Sequence, residues 1–126
     1  MNFKMKEVGF STQLEHGELH VAGNEEYGFR PYQLMVSSIV VCSGGVLRKI
    51  LKKKRMEIED LSMTADVIRN EEEANRIEKI HISYKIKGKN LQENKIQQAI
   101  EIAKKNCSMY QTVKDSIEVT ETVEII

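Results

Sequence analysis

Proline occurs once in the 126 residues, tryptophan not at all, and cysteine only twice, at Cys42 and Cys107. Two thiols are too few for the disulfide framework of a small secreted scaffold. Glycine is sparse after Gly45, and no repeat, low-complexity stretch or linker interrupts the chain, so residues 1–126 read as a single domain. Neither sign of charge is in excess: 19 basic and 19 acidic side chains cancel, which argues against a general nucleic-acid binder. Gly-x-Gly-x-x-Gly, Walker and Gly-x-Ser-x-Gly loops are absent, as are Cys-x-x-Cys and His-Glu-x-x-His, so nucleotide-dependent, serine-hydrolase and zinc chemistry have no support. His16 and His20 are separated by a turn candidate at Gly17, and no metal or cofactor is expected.

Long apolar runs are also scarce. The opening residues, Met1 to Glu7, lack the apolar segment of a secretory leader, and a cytoplasmic setting with reduced thiols is expected. The longest uncharged stretch, Pro31 to Leu47, would be about 25 Å long as a helix. It carries Gln33, Ser37, Ser38, Ser43, Gly44 and Gly45, and reads as a buried core helix rather than a membrane span.

What is present is a change of hydrophobic period along the chain. Residues 3–10 and 18–22 read as strands, with turns at His16-Gly17 and Gly23-Asn24. Pro31 suits the first turn of a helix that runs to the cluster Lys52-Lys53-Lys54-Arg55, whose charges the negative helix end favours. Leu61, Met63, Ala65 and Val67, then Ile80, Ile82, Tyr84 and Ile86, recur at period two and predict antiparallel strands joined across Asn70–Asn75. Asn90 and Glu93 have capping-box spacing ahead of a helical stripe of Ile96, Ala99, Ile100 and Ala103 that Cys107 continues. A helical turn from Ser108 to about Lys114 and a strand with Ile117, Val119, Val123 and Ile125 complete an α+β order.

The central helix is apolar on nearly every face in its first half, and from Pro31 to Lys54 it would be about 36 Å long. A domain of this length has a radius of gyration of only about 14 Å. Part of that helix is therefore expected to be covered by a second copy of the chain.

Cys42 lies in this helix, with Ser38, Ile39, Gly45 and Val46 as helical neighbours. Gly44-Gly45 has two explanations: close packing of the helix, or space beside the thiol for a substrate or partner. Cys107 follows Lys104-Lys105-Asn106 and precedes a helical turn, so its immediate surroundings favour it as the better thiolate. Either thiol taken alone also fits a small buried hydrophobe.

Arg30-Pro31-Tyr32-Gln33-Leu34-Met35 leading into Val40-Val41-Cys42-Ser43, then Leu51 to Arg55, Ile80 to Gly88, Leu91, and Ala103-Lys104-Lys105-Asn106-Cys107-Ser108, together resemble the OsmC/Ohr family of thiol peroxidases. The resemblance covers the chain from about Arg30 to its end. It implies antiparallel sheets wrapped around long central helices in an intertwined homodimer, with sites at the subunit interface. It also implies that Cys42 is the peroxidatic and Cys107 the resolving cysteine, in place of the local preference for Cys107.

The implied chemistry is reduction of organic hydroperoxides in oxidative-stress defence. A Cys42 sulfenic acid would condense with Cys107 to a disulfide that an external thiol reductant restores. No nucleic-acid or membrane partner is implied. The chain departs from the family pattern at Tyr32, where a glutamate normally follows the proline and orients an activating arginine. No arginine precedes Arg30, which leaves Arg30 and Tyr32 as the candidate activating or pocket residues. The alternative is a non-catalytic member that binds a small apolar ligand at the dimer interface, with both cysteines inert.

Overall fold

A computed structural model describes residues 1–126, which group into two compact units, Met1–Ser37 and Ser38–Ile126.

In the first unit, β1 (Phe3–Met5), β2 (Phe10–Gln13) and β3 (Glu18–Val21) form an antiparallel meander in that order. The single strand expected over residues 3–10 is broken by a turn closed by the Lys6 N–H on the Gly9 carbonyl at 3.0 Å. Gly9 sits at φ 78°, and a side chain there would run into the Val21 carbonyl and Ala22. Its backbone need overrides the apolar alternation. The His16-Gly17 turn forms as expected, with the Leu14 N–H on the Gly17 carbonyl at 2.9 Å. An apolar hollow of about 500 Å³ is lined by Phe3, Gly9, Phe10, Val21, Ala22, Gly23 and Pro31.

Helix α1 (Pro31–Lys53) begins at the proline and ends in Lys52 and Lys53, as expected from the helix dipole. Gly44-Gly45 does not break it. Ile39, Val40, Ser43, Leu47 and Leu51 are buried at three- and four-residue intervals, whereas Met35 and Val41 are exposed, Val41 at 64%. Within one chain, therefore, the apolar helix is covered on one side only. By length and composition alone α1 could cross a bilayer, a test that core helices of soluble proteins also pass.

In the second unit, β4 (Glu57–Asn70) and β5 (Arg76–Lys89) form a long antiparallel hairpin. Its turn is a 3₁₀ turn over Glu71–Glu73, capped by the Asn70 side chain and closed by Ala74 and Asn75 in left-handed conformation. Helix α2 (Glu93–Asn106) buries Ile96, Ala99, Ile100 and Ala103, the stripe read from the sequence. Its N-cap is Gln92 without a side-chain hydrogen bond; Asn90 is at φ 60°. The expected Asn90–Glu93 capping box does not form, because Asn90 turns the chain in the left-handed region instead. Helix α3 (Ser108–Val113) follows, and β6 (Glu118–Ile125) returns parallel to β5. The sheet is thus mixed rather than wholly antiparallel, since the β5–α2–α3–β6 connection is a helical crossover.

Candidate functional site

Each cysteine is followed by a serine, and the fold pairs the two dipeptides crosswise. Cys42 Sγ is 3.8 Å from Ser108 Oγ, and Ser43 Oγ is 3.4 Å from Cys107 Sγ. Ser43 lies on the buried stripe of α1, so Cys42, one residue back, sits at the edge of that stripe, half-buried. Cys107 is fully buried as the last member of the α2 stripe. It also caps α3, accepting the Tyr110 N–H at 3.4 Å. The chain reversal between α2 and α3 thereby points the free N–H groups at the start of α3 toward Cys42.

These surroundings push the two thiols in opposite directions. The Met109 backbone N–H, then the Cys107 thiol, the Ser108 hydroxyl and the Ser108 N–H, hold Cys42 below the ordinary thiol range against partial desolvation. Burial pushes Cys107 up, helped by its proximity to Cys42 and opposed by the Ser43 hydroxyl and the Tyr110 N–H. The local reading of Cys107 as the better thiolate is reversed, because its desolvation outweighs a helix start that bonds both cysteines. No cation is among the groups that depress Cys42. Arg30 instead stacks on the Tyr32 ring at 4.8 Å, within the first unit.

The two adjacent glycines have separate explanations. A side chain at Gly44 would meet the Met63 thioether of β4, so this position is close packing. Gly45, exposed and one turn from Cys42, has open space where a side chain would be.

Behind Cys107 lies a second polar pair. The hydroxyl of Tyr84, which is 1% exposed, and Oε2 of Glu121 are both buried and lack a hydrogen-bond partner. They are neighbours that raise or lower each other's proton affinity without a well-formed hydrogen bond. Burial chiefly, then the charges of Glu121 and Cys107, makes Tyr84 a very weak acid. Burial also raises the Glu121 carboxyl, against Tyr84 and Lys104.

The sequence reading missed Ser43, Ser108, Tyr84 and Glu121 as site residues. Two Cys-Ser dipeptides, and one polar residue inside each of two apolar strand stripes, were the available signals. The Met109 N–H has no side-chain signal at all.

A family model for OsmC-like protein matches residues 23–122. The chain belongs to the OsmC-like family. The match spans α1, the β4–β5 hairpin, α2 and α3, so both cysteines of the OsmC-like chain fall within it. Among solved structures, a hypothetical protein from Aquifex aeolicus VF5 is 29% identical, with TM-score 0.89 over 99% of this chain and 93% of that one. An organic hydroperoxide resistance protein from Elizabethkingia anophelis is 20% identical, with TM-score 0.74 over 98% and 99%. The organic hydroperoxide resistance protein OhrB of Bacillus subtilis is 17% identical, with TM-score 0.64 over 98% of each chain. The α+β fold of the OsmC-like chain is thus shared with proteins of that description. No curated protein matches the sequence.

Proposed function

We propose that this OsmC-like protein is a cytoplasmic thiol-dependent peroxidase that reduces organic hydroperoxides through Cys42 and Cys107. The observation that carries the reading is the opposed pair: an accessible thiol held toward its thiolate by hydrogen bonds, touching a buried thiol held protonated. A thiolate is the attacking species and a protonated thiol is not, so the arrangement supports Cys42 acting first and Cys107 second.

The Cys42 thiolate attacks the peroxide's terminal oxygen; the O–O bond breaks, the alkoxide leaves and takes a proton from solvent to become the alcohol, and Cys42 becomes a sulfenic acid. Cys107 then attacks the Cys42 sulfur, the S–O bond breaks, and water and a disulfide form. An external thiol reductant returns both cysteines. The open space at Gly45 gives the peroxide an approach to Cys42 along an apolar helix, which suits an organic chain better than hydrogen peroxide. Organic hydroperoxide resistance in relatives of the same fold supports the substrate class.

Hydrogen bonds from the start of α3 take the role that an arginine–glutamate pair would otherwise fill. The assembly is a homodimer in which a second copy covers the exposed side of α1. Cumene hydroperoxide added to reduced protein should remove both free thiols and leave one disulfide; two persistent thiols would overturn the reading.

A further inference from the structure

Strand β6 turns Val119, Glu121 and Val123 toward the interior, and strand β5 turns Ile82, Tyr84 and Ile86 the same way. Pairing of the two strands sets Ile82 beside Glu121 and Tyr84 beside Val123, so the one carboxylate and the one phenol of these faces are diagonal neighbours. Burying a carboxylate without a partner is costly, and an apolar residue at position 121 would complete the stripe. The position of the pair answers what that cost accompanies. Tyr84 faces Cys107 and the Ser43 hydroxyl, and Ser43 is 3.4 Å from Cys107. The polar groups are thus successive neighbours, Cys107 to Ser43 to Tyr84 to Glu121, and the Tyr84 hydroxyl, which makes no hydrogen bond at rest, completes a path by turning onto Ser43 and Glu121.

We propose that Glu121 takes up the proton of Cys107 when a Cys42–Cys107 disulfide closes and returns it when that disulfide is reduced, Tyr84 and Ser43 carrying it between them. The inference rests on the redox reading of the two cysteines. On closure, the Cys107 proton passes to the Glu121 carboxylate and the Cys107 sulfur gives an electron pair to the Cys42 sulfur. The S–O bond breaks, and hydroxide leaves and is protonated by solvent.

On reduction by an external dithiol, its thiolate bonds to Cys42 and the S–S bond breaks. Cys107 departs as a thiolate into a dry site, where the Glu121 carboxylic acid protonates it. The second thiol of the reductant then displaces Cys42 and becomes a disulfide. An acid that serves in both directions works best with a proton affinity near the working pH, and burial moves a carboxyl toward that range. The titratable groups facing Glu121 are Tyr84 from β5 and Glu101 and Lys104 from α2; Lys104 favours the carboxylate, Glu101 opposes it, and Cys107 acts on Tyr84.

The test compares wild type, Glu121→Gln and Tyr84→Phe by rapid quench after cumene hydroperoxide, trapping sulfenic acid with dimedone and counting disulfide, across pH. Sulfenic acid should form in all three. Its conversion to disulfide should slow by about tenfold to a hundredfold in both variants, and the pH profile of closure should lose its acid limb.

A second arm oxidises the same proteins with diamide, which requires no peroxidase activity, and follows reduction by dithiothreitol; both variants should be slowed there too. Wild-type rates and profiles in both variants would overturn the proposal, and a slowed Glu121→Gln beside an unchanged Tyr84→Phe would remove Tyr84 from the path. Should Glu121→Gln fail to fold, Glu121→Met, an apolar residue of similar length on an apolar strand face, takes its place in both arms. Absence of sulfenic acid in the wild type would overturn the peroxidase reading, while the diamide arm would still decide the proton path.

Discussion

Cys42 lies against the hydroxyl of Ser108, while Ser43, the next residue, lies against Cys107, so two Cys-Ser dipeptides 65 positions apart interlock crosswise. The consequence is a difference in surroundings set by depth: the half-buried sulfur receives backbone N–H groups and the fully buried one loses its solvent.

Alkylation should report this difference directly. With sub-stoichiometric iodoacetamide, peptide mass spectrometry should find Cys42 modified first, with a reactivity midpoint below the ordinary thiol range, and Cys107 protected until well above it. Ser108→Ala should raise the Cys42 midpoint only in part, because the Met109 N–H, the larger influence, is backbone and survives the substitution.

Arg30 should matter less than either cysteine. Its guanidinium stacks on Tyr32, and hydrogen bonds rather than a cation depress Cys42. Arg30→Ala is expected to slow cumene hydroperoxide consumption by less than about tenfold, whereas Cys42→Ser should abolish it. A loss on the cysteine scale in Arg30→Ala would place the arginine at the thiolate.

The two glycines should respond oppositely to alanine. At Gly45 an added methyl meets open space, so Gly45→Ala should stabilise the helix by up to about 1 kcal/mol. At Gly44 the same propensity gain is set against overpacking on Met63 worth about 1–3 kcal/mol. Urea unfolding should therefore rank Gly45→Ala above wild type and Gly44→Ala at or below it, with Met63→Ala relieving the latter.

Stability should also depend on pH through Glu121. Its carboxyl binds a proton more tightly folded than unfolded, so the native state holds more protons above the ordinary carboxylate value. Folding stability is then lost as pH rises from there through the raised value. Glu121→Gln should lack this loss, and its advantage over wild type in thermal unfolding should grow from acidic to neutral pH. Parallel curves would show that the carboxyl is not buried in solution.

The uncovered side of α1 gives a test of assembly. Light scattering at micromolar concentration should return a dimeric mass, and Val41→Glu, at an exposed apolar position, should return a folded monomer. A monomeric wild type would overturn the dimer.

Most elements were legible in the sequence because their hydrophobic period is local: α1 from Pro31 to its lysines, the β4–β5 alternation, and the α2 stripe ending at Cys107. Helix and strand periods follow from backbone geometry that neighbouring residues share. The split at Gly9 and the missing cap at Asn90 were not legible, because each turns on a left-handed backbone that the residue type permits but does not require.

The sequence by itself determined which two thiols exist, that both sit on apolar stripes, and that the chain resembles the OsmC/Ohr family. Only the tertiary structure set the two thiols apart, lowering the proton affinity of one and raising that of the other, because the depth of each sulfur and the N–H groups aimed at it come from the packing of α1, α2 and α3. The Tyr84–Glu121 pair is likewise invisible to any local window: its partners are 37 residues apart in the chain and become neighbours only when β6 returns beside β5.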